Sequence, residues 1–250
     1  MTVKIKKMMK YIKEVPTSQI KYDLIRIYHK EFYDNKRENV REIDSDKEGY
    51  KYSMKVFDET ESIFIHVPKC AGMSVALSLY GCLAGGHTTA DEYRVIFGHE
   101  FFEYYTFSIV RNPYDRLVSA YEYITNKEHE VWPENEKTKR SIKRDCICFK
   151  DFVEKKLNTM SKRKYHFMPQ SKFIKTEGKV CIDKIIKFEN LSEDFKEVKR
   201  KINPNASLMQ KNKNENRKIY QHYYDKKTIS KVKKIYEEDF ETFNYRFEIS

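Results

Sequence analysis

The stretch "IFIHVPKCAGMS", residues 63–74, decides how this chain is read. A β-branched, apolar run breaks off at Pro68, and Lys69, Cys70, Ala71 and Gly72 follow before a helical pattern begins. "SIFIHV" (62–67) has the composition of a buried strand bounded by polar residues and proline. "MSVALSLYGCL" reads as a helix that stops at Gly85-Gly86. A strand that turns straight into a helix aims several backbone N–H groups, together with the helix dipole, at one point, which suits an anion. Lys69 adds a point charge, Gly72 allows close backbone approach, and Ser74 offers a hydroxyl. Two chemistries compete for this loop: phosphate binding through Lys69, or nucleophilic attack by Cys70. A phosphatase loop would need arginine six places after the cysteine, where Ala76 stands, and no papain-like surrounding is recognisable. Cys70 is therefore read as a small loop residue. The order G-x-x-x-x-G-K-[ST] is absent and the lysine precedes the glycine, which disfavours a nucleoside triphosphate with magnesium.

The same design recurs downstream. "YYTFSIV" (104–110) is a second buried strand, and it runs into Arg111 and then Asn112-Pro113, a helix cap followed by proline at the first helical position. Leu117, Ala120, Tyr121 and Ile124 form the apolar stripe of the helix. Arg111 stands where a guanidinium can fork onto a phosphate, and Ser119 follows eight residues later. Arg116 reads as a surface ion-pair residue. "DKIIKF" (183–188) gives a third strand, followed by a helix from "NLSEDFKEVKRKI". A long helix at roughly 225–240 closes the chain. Strands alternating with helices predict an α/β domain on a mainly parallel sheet. Residues 1–55 read as a charged, helical N-terminal arm, and residues 56–250 as the main domain. A charged insertion at about 126–165 carries one short helix near Phe149–Leu157.

Bulk composition narrows the partners without choosing one. The 49 Lys+Arg against 38 Asp+Glu give a formal charge of +11, which attracts anions of any kind, from nucleic acid to an acidic glycan or a nucleotide. No RRM, zinc-finger or helix-turn-helix pattern supports nucleic acid. Five scattered cysteines, with no C-x2-C pair, predict a reduced, metal-free protein. No segment reaches the roughly 18 apolar residues of a membrane span, so the expectation is a soluble, cytoplasmic protein.

Together "HVPKCAGMS" and "VRNPYDRLVSAY" resemble the 5′-phosphosulfate and 3′-phosphate motifs of PAPS-dependent sulfotransferases (PAPS, 3′-phosphoadenosine 5′-phosphosulfate), in the carbohydrate sulfotransferase branch, sulfotransferase family 2. The resemblance continues through "FGHEFF" (97–102), "MPQSKFI" (168–174), "IIKFENLSEDF" (185–195) and "IYEEDFETFNY" (235–245). It implies a P-loop NTPase-like parallel sheet flanked by helices, PAPS as sulfuryl donor, and a hydroxyl acceptor, most simply on a glycan. It places Lys69 and the amides of Cys70, Ala71, Gly72, Met73 and Ser74 at the phosphosulfate, and Arg111 and Ser119 at the 3′-phosphate. His99 corresponds to the family's catalytic base, with Glu100 beside it as a fallback. His66 reads as structural, and His87 and His166 as weaker candidates on the acceptor side. Glu189 and Asn190 are expected to organise the loop beneath the site. Lys211, Lys213 and Arg217 form a basic loop that is either solvated or closes over the 3′-phosphate. A kinase on the same fold, a non-catalytic nucleotide binder and a basic nucleic-acid-binding protein are the competing readings.

Overall fold

Residues 17–38, 40–43, 50–125, 133–209 and 219–248 are described by the structure, a computed structural model. Among the described residues ahead of residue 55 stand two helices, α1 (Thr17–Tyr28) and α2 (Lys30–Glu38), then an antiparallel ribbon of β1 (Val40–Ile43) and β2 (Tyr50–Ser53). Helix α3 (Lys55–Thr60) ends at Glu61, whose left-handed backbone turns the chain into β3 (Ser62–Ile65). All four residues of β3 are buried, so its sequence shows a continuous apolar run rather than alternation. Beyond the loop comes α4 (Gly72–Tyr80), which ends earlier than its apolar spacing suggests. Gly81 takes a left-handed φ of 67° and its N–H bonds back to Leu77, closing the helix.

Helix α5 (Ala90–Phe97) starts from a capping box between Thr89 and Glu92. One turn, α6 (Glu100–Glu103), then leads into β4 (Tyr105–Val110). The cap read at Asn112 is present: its Oδ1 accepts the Tyr114 N–H at 3.1 Å and opens α7 (Pro113–Thr125). Leu117, Ala120 and Ile124 are buried along α7 as their spacing requires.

The charged stretch holds more helix than its sequence shows. Its described residues include three helices: α8 (Pro133–Asp145), α9 (Phe149–Lys155) and α10 (Leu157–Arg163). A 3-10 turn at Tyr165–Phe167 and α11 (Ser171–Ile174) lead to the two-residue strands β5 (Lys175–Thr176) and β6 (Lys179–Val180). Next come β7 (Lys184–Lys187), a 3-10 turn at Phe188–Asn190, and α12 (Leu191–Ile202). The single closing helix expected at 225–240 is two, α13 (Lys226–Ile235) and α14 (Glu237–Phe243). They part at Tyr236, a buried residue whose hydroxyl donates to the Phe167 carbonyl at 2.6 Å.

β3, β4 and β7 form a parallel sheet in that order, with Ser62 opposite Tyr105 and Phe107 opposite Lys184. Parallel neighbours need helical crossovers, so the strand–helix alternation of the sequence dictates this mixed α/β layout. One aromatic-rich core, with Phe57, Phe64, Phe97 and Phe107, packs around the sheet. A second, with Tyr114, Phe152, Phe167 and Val232, joins α7 to α9 and α13. Because the strands are parallel, the loops after Ile65, Val110 and Lys187 all open at one edge, the place where such sheets bind ligands.

Candidate active site

The loop after β3 is shaped by two unusual residues. Lys69 (φ 69°) and Ala71 (φ 60°) both adopt left-handed backbone, which costs a non-glycine residue about 1–2 kcal/mol. Left-handed residues set among ordinary ones turn successive N–H groups inward, a concavity that favours anions. The first turn of α4 adds the amides of Gly72, Met73 and Ser74, which point out of the helix's amino end. Ser74 is buried within that turn. Gly72 has a different partner from the one its sequence suggests. A Cβ there would lie 1.8 Å from the His66 ring, so the space its hydrogen leaves is filled by that imidazole.

Cys70 is fully buried, and its thiol faces the Gln170 Oε1 at 3.4 Å. Burial pushes this thiol up to about 12, which keeps it protonated and unsuited to attack at neutral pH.

Helix α7 gathers the two cations. Arg111 donates from Nε to Asp115 at 2.6 Å and from NH1 to the Lys69 carbonyl at 3.2 Å. Its guanidinium also lies 4.2 Å from the centre of the Phe188 ring. The Lys69 ammonium rests 4.0 Å from the centre of the Tyr123 ring. Asp115, Ser119 and Tyr123 are spaced by four, so they share one face of α7 over roughly 12 Å. Ser119 is half-buried and stands between the residue that engages Arg111 and the residue that engages Lys69.

Beneath this face lies a polar frame. Gln170 exchanges two hydrogen bonds with the Arg111 backbone, accepting its N–H at 2.9 Å and donating to its carbonyl at 2.8 Å. Asp239, buried and with its carboxyl raised by that burial, accepts the Gln170 and Ser171 N–H groups at 2.8 Å each. Glu189 accepts the Asn112 N–H at 2.9 Å and the Tyr245 hydroxyl at 2.7 Å, so it does organise the turn under the site. Arg116 is not the surface residue its sequence context suggests. It is 2% exposed and donates to the carbonyls of Pro68, His166 and Met168, which ties the loop after β3 to the "MPQ" segment.

The histidines are arranged otherwise than the motifs imply. His99 follows α5, whose eight residues span about 12 Å, and precedes the amino end of β4. Its side chain is 54% exposed and lies 3.3 Å from Glu103. The structure therefore puts His99, with Glu100, at the edge of the sheet opposite to Lys69. At the Lys69 edge stand the three histidines that the sequence ranked lower. The His87 ring lies 4.5 Å from that of His66 and 5.8 Å from that of His166, and His166 lies 5.2 Å from Tyr123. Burial lowers all three, with the Lys69 charge adding to it: His87 to about 4, His166 to about 3, and His66 well below its ordinary value. Lys211, Lys213 and Arg217 lie outside the described residues.

A comparison with protein-family profiles matches residues 52–246 to the sulfotransferase family. The chain belongs to that family. The family's chemistry is sulfuryl transfer to a hydroxyl, which makes this sulfotransferase-family chain a transferase. Comparison with curated proteins, and separately with solved structures, gave no match. Among the described residues of this sulfotransferase-family chain, no group of His, Cys, Asp and Glu is placed to hold a metal ion. Nor is any helix there long and apolar enough to cross a membrane. A shallow cavity of about 200 Å³, lined by Phe101, Thr106 and Asp183 among others, sits by the amino end of β4 and includes neither Lys69 nor Arg111.

Proposed function

We propose that this transferase draws its sulfuryl group from PAPS and delivers it to a hydroxyl of a carbohydrate, on a P-loop NTPase-like framework and in the cytoplasm. One observation carries the reading. Lys69 and Arg111, from the ends of two neighbouring parallel strands, engage one face of α7 with Ser119 between their partners. A ligand with anionic groups at two ends suits that spacing. The residues present also fit such a ligand chemically. Arg111 has five N–H donors, of which Asp115 and the Lys69 carbonyl take two, and the left-handed loop adds backbone amides.

In this reading Lys69 and the amides of Cys70 to Ser74 hold the 5′-phosphosulfate, and Arg111 with Ser119 holds the 3′-phosphate. PAPS, when bound, supplies an activated sulfuryl group. Lys69 meets the negative charge that grows on the phosphate side, and the half-buried setting strengthens that interaction. The five free thiols accord with a reducing compartment, and the basic balance accords with an anionic sugar.

Calorimetry tests the donor. The bisphosphate 3′-phosphoadenosine 5′-phosphate should bind more than tenfold tighter than ATP, because ATP has no 3′-phosphate for Arg111 and Ser119. Equal affinities, or no binding of the bisphosphate, would overturn the proposal.

A further inference from the structure

We infer that Gln170 is a positioning residue for the donor: its side-chain amide sets Arg111 against the loop after β3, so that the two anion-binding loops together accept a nucleotide charged at both ends. This rests on the sulfuryl-transfer reading above and names a residue that acts through Arg111. Gln170 is fully buried and stands at the amino end of α11. Hydrogen bonds reach its amide from both loops. Oε1 accepts the Arg111 N–H at 2.9 Å and faces the Cys70 thiol at 3.4 Å, and Nε2 donates to the Arg111 carbonyl at 2.8 Å. These partners fix which end of the amide is oxygen, since a flipped amide would set N–H against N–H and oxygen against oxygen.

Arg111 needs such a partner. β4 ends at Val110, so the N–H and carbonyl of the next residue lie past the strand, and buried backbone groups demand partners. The Gln170 amide serves both, as a neighbouring strand would. The same amide meets Cys70, which stands between Lys69 and Ala71, two residues with left-handed backbone. Strained backbone of that kind persists where its surroundings hold it. Gln170 is itself anchored. Its N–H goes to the buried Asp239, and Arg116 bonds the Met168 carbonyl on one side and the Pro68 carbonyl on the other. One fixed segment thus grips the start of both loops. With the Arg111 backbone clamped, Asp115 and the Lys69 carbonyl hold its guanidinium end. A thiol is a weak donor, so loss of the amide falls mainly on Arg111 and on the 3′ end of a bound nucleotide.

Methionine has nearly the length of glutamine but no N–H to donate and only a weakly accepting sulfur. In Gln170→Met both backbone groups of Arg111 lose their partner while the space stays filled. A residue that merely satisfies the core would then weaken every nucleotide alike. A positioning residue weakens those that reach Arg111.

The test compares 3′-phosphoadenosine 5′-phosphate with adenosine 5′-phosphate by calorimetry on the full chain. Gln170→Met should weaken the bisphosphate about tenfold and the monophosphate less than about threefold. Built into an Arg111→Met chain, the same change should weaken the bisphosphate less than about twofold, because the residue it acts through is gone. Equal losses for the two nucleotides, or the full loss in the Arg111→Met chain as well, overturn the inference. A measurement on the parent covers a variant that fails to fold. In hydrogen exchange followed by NMR of the 15N-labelled chain, the Arg111 N–H and a carboxamide N–H of Gln170 should both exchange slowly, and rapid exchange of either overturns the inference. If the parent shows no preference for the bisphosphate, the donor reading falls and takes the positioning role with it. A parent that prefers the bisphosphate, beside a Gln170→Met variant that prefers it equally, strikes the positioning role alone.

Discussion

Acid exposes the cost of holding three imidazoles beside a lysine, His66 buried and His87 and His166 half-buried. In an unfolded chain a histidine takes up its proton near pH 6.5. In the folded protein burial, joined by the charges of Lys69 and Arg116, holds His87 neutral down to about 4 and His166 down to about 3. Between those values and 6.5 the unfolded state binds more protons than the folded one. Stability therefore rises with pH across that window and is lost as pH falls. pH 5 lies 1.5 units below the unfolded value of each side chain, which at about 1.36 kcal/mol per unit is about 2 kcal/mol each. His66 adds to the loss in the same direction, while Asp239, raised by its own burial, opposes it. A loss of about 4 kcal/mol is a large share of the 5–15 kcal/mol that holds a typical domain folded. Guanidinium unfolding followed by circular dichroism should show the midpoint falling steeply between pH 7 and pH 5. A His87→Gln/His166→Gln variant should show a flatter dependence, since an amide does not titrate. Equal midpoints for the parent at the two pH values, or an unchanged pH slope in the variant, would refute the assignment of both rings as neutral.

Two further substitutions probe the frame. Gly72→Ala drives a methyl into the His66 ring, and overpacking of that kind costs about 1–3 kcal/mol, read as a lower melting temperature; an unshifted melting temperature would mean that His66 does not occupy that space. Arg116→Met strands three carbonyls and should destabilise by about 3 kcal/mol or more in denaturant titration; Arg116→Lys should rescue only part of this, because an ammonium does not reproduce the guanidinium fork.

The sheet was legible because its strands are short apolar runs, the first two ending near proline or arginine, and the α7 cap because Asn-Pro has one common meaning. Helix α8 was not legible. Its buried side chains include Asn135, Thr138 and Ile142, a helical stripe in which two of three residues are polar, so hydrophobic spacing hardly registers it. The break at Tyr236 depends on a tertiary hydrogen bond to Phe167, 69 residues away, which no local pattern carries. Lys69 and Arg111 could be found because each follows the end of a strand. His99 was chosen on its neighbouring letters, and the structure sets it ahead of the amino end of β4, exposed and beside Glu103.

Arg94 sets the limits of what can fold alone. Its guanidinium, 2% exposed, donates to Gln19 at 3.1 Å and Thr176 at 2.7 Å and stacks 3.9 Å from the Tyr22 ring. Gln19 and Tyr22 belong to α1, upstream of residue 52, where the family match begins. A fragment cut at that boundary would keep the arginine and lose two of the groups that shield and satisfy it. The family match thus stops short of α1, a helix that shields and satisfies a buried arginine inside the matched stretch.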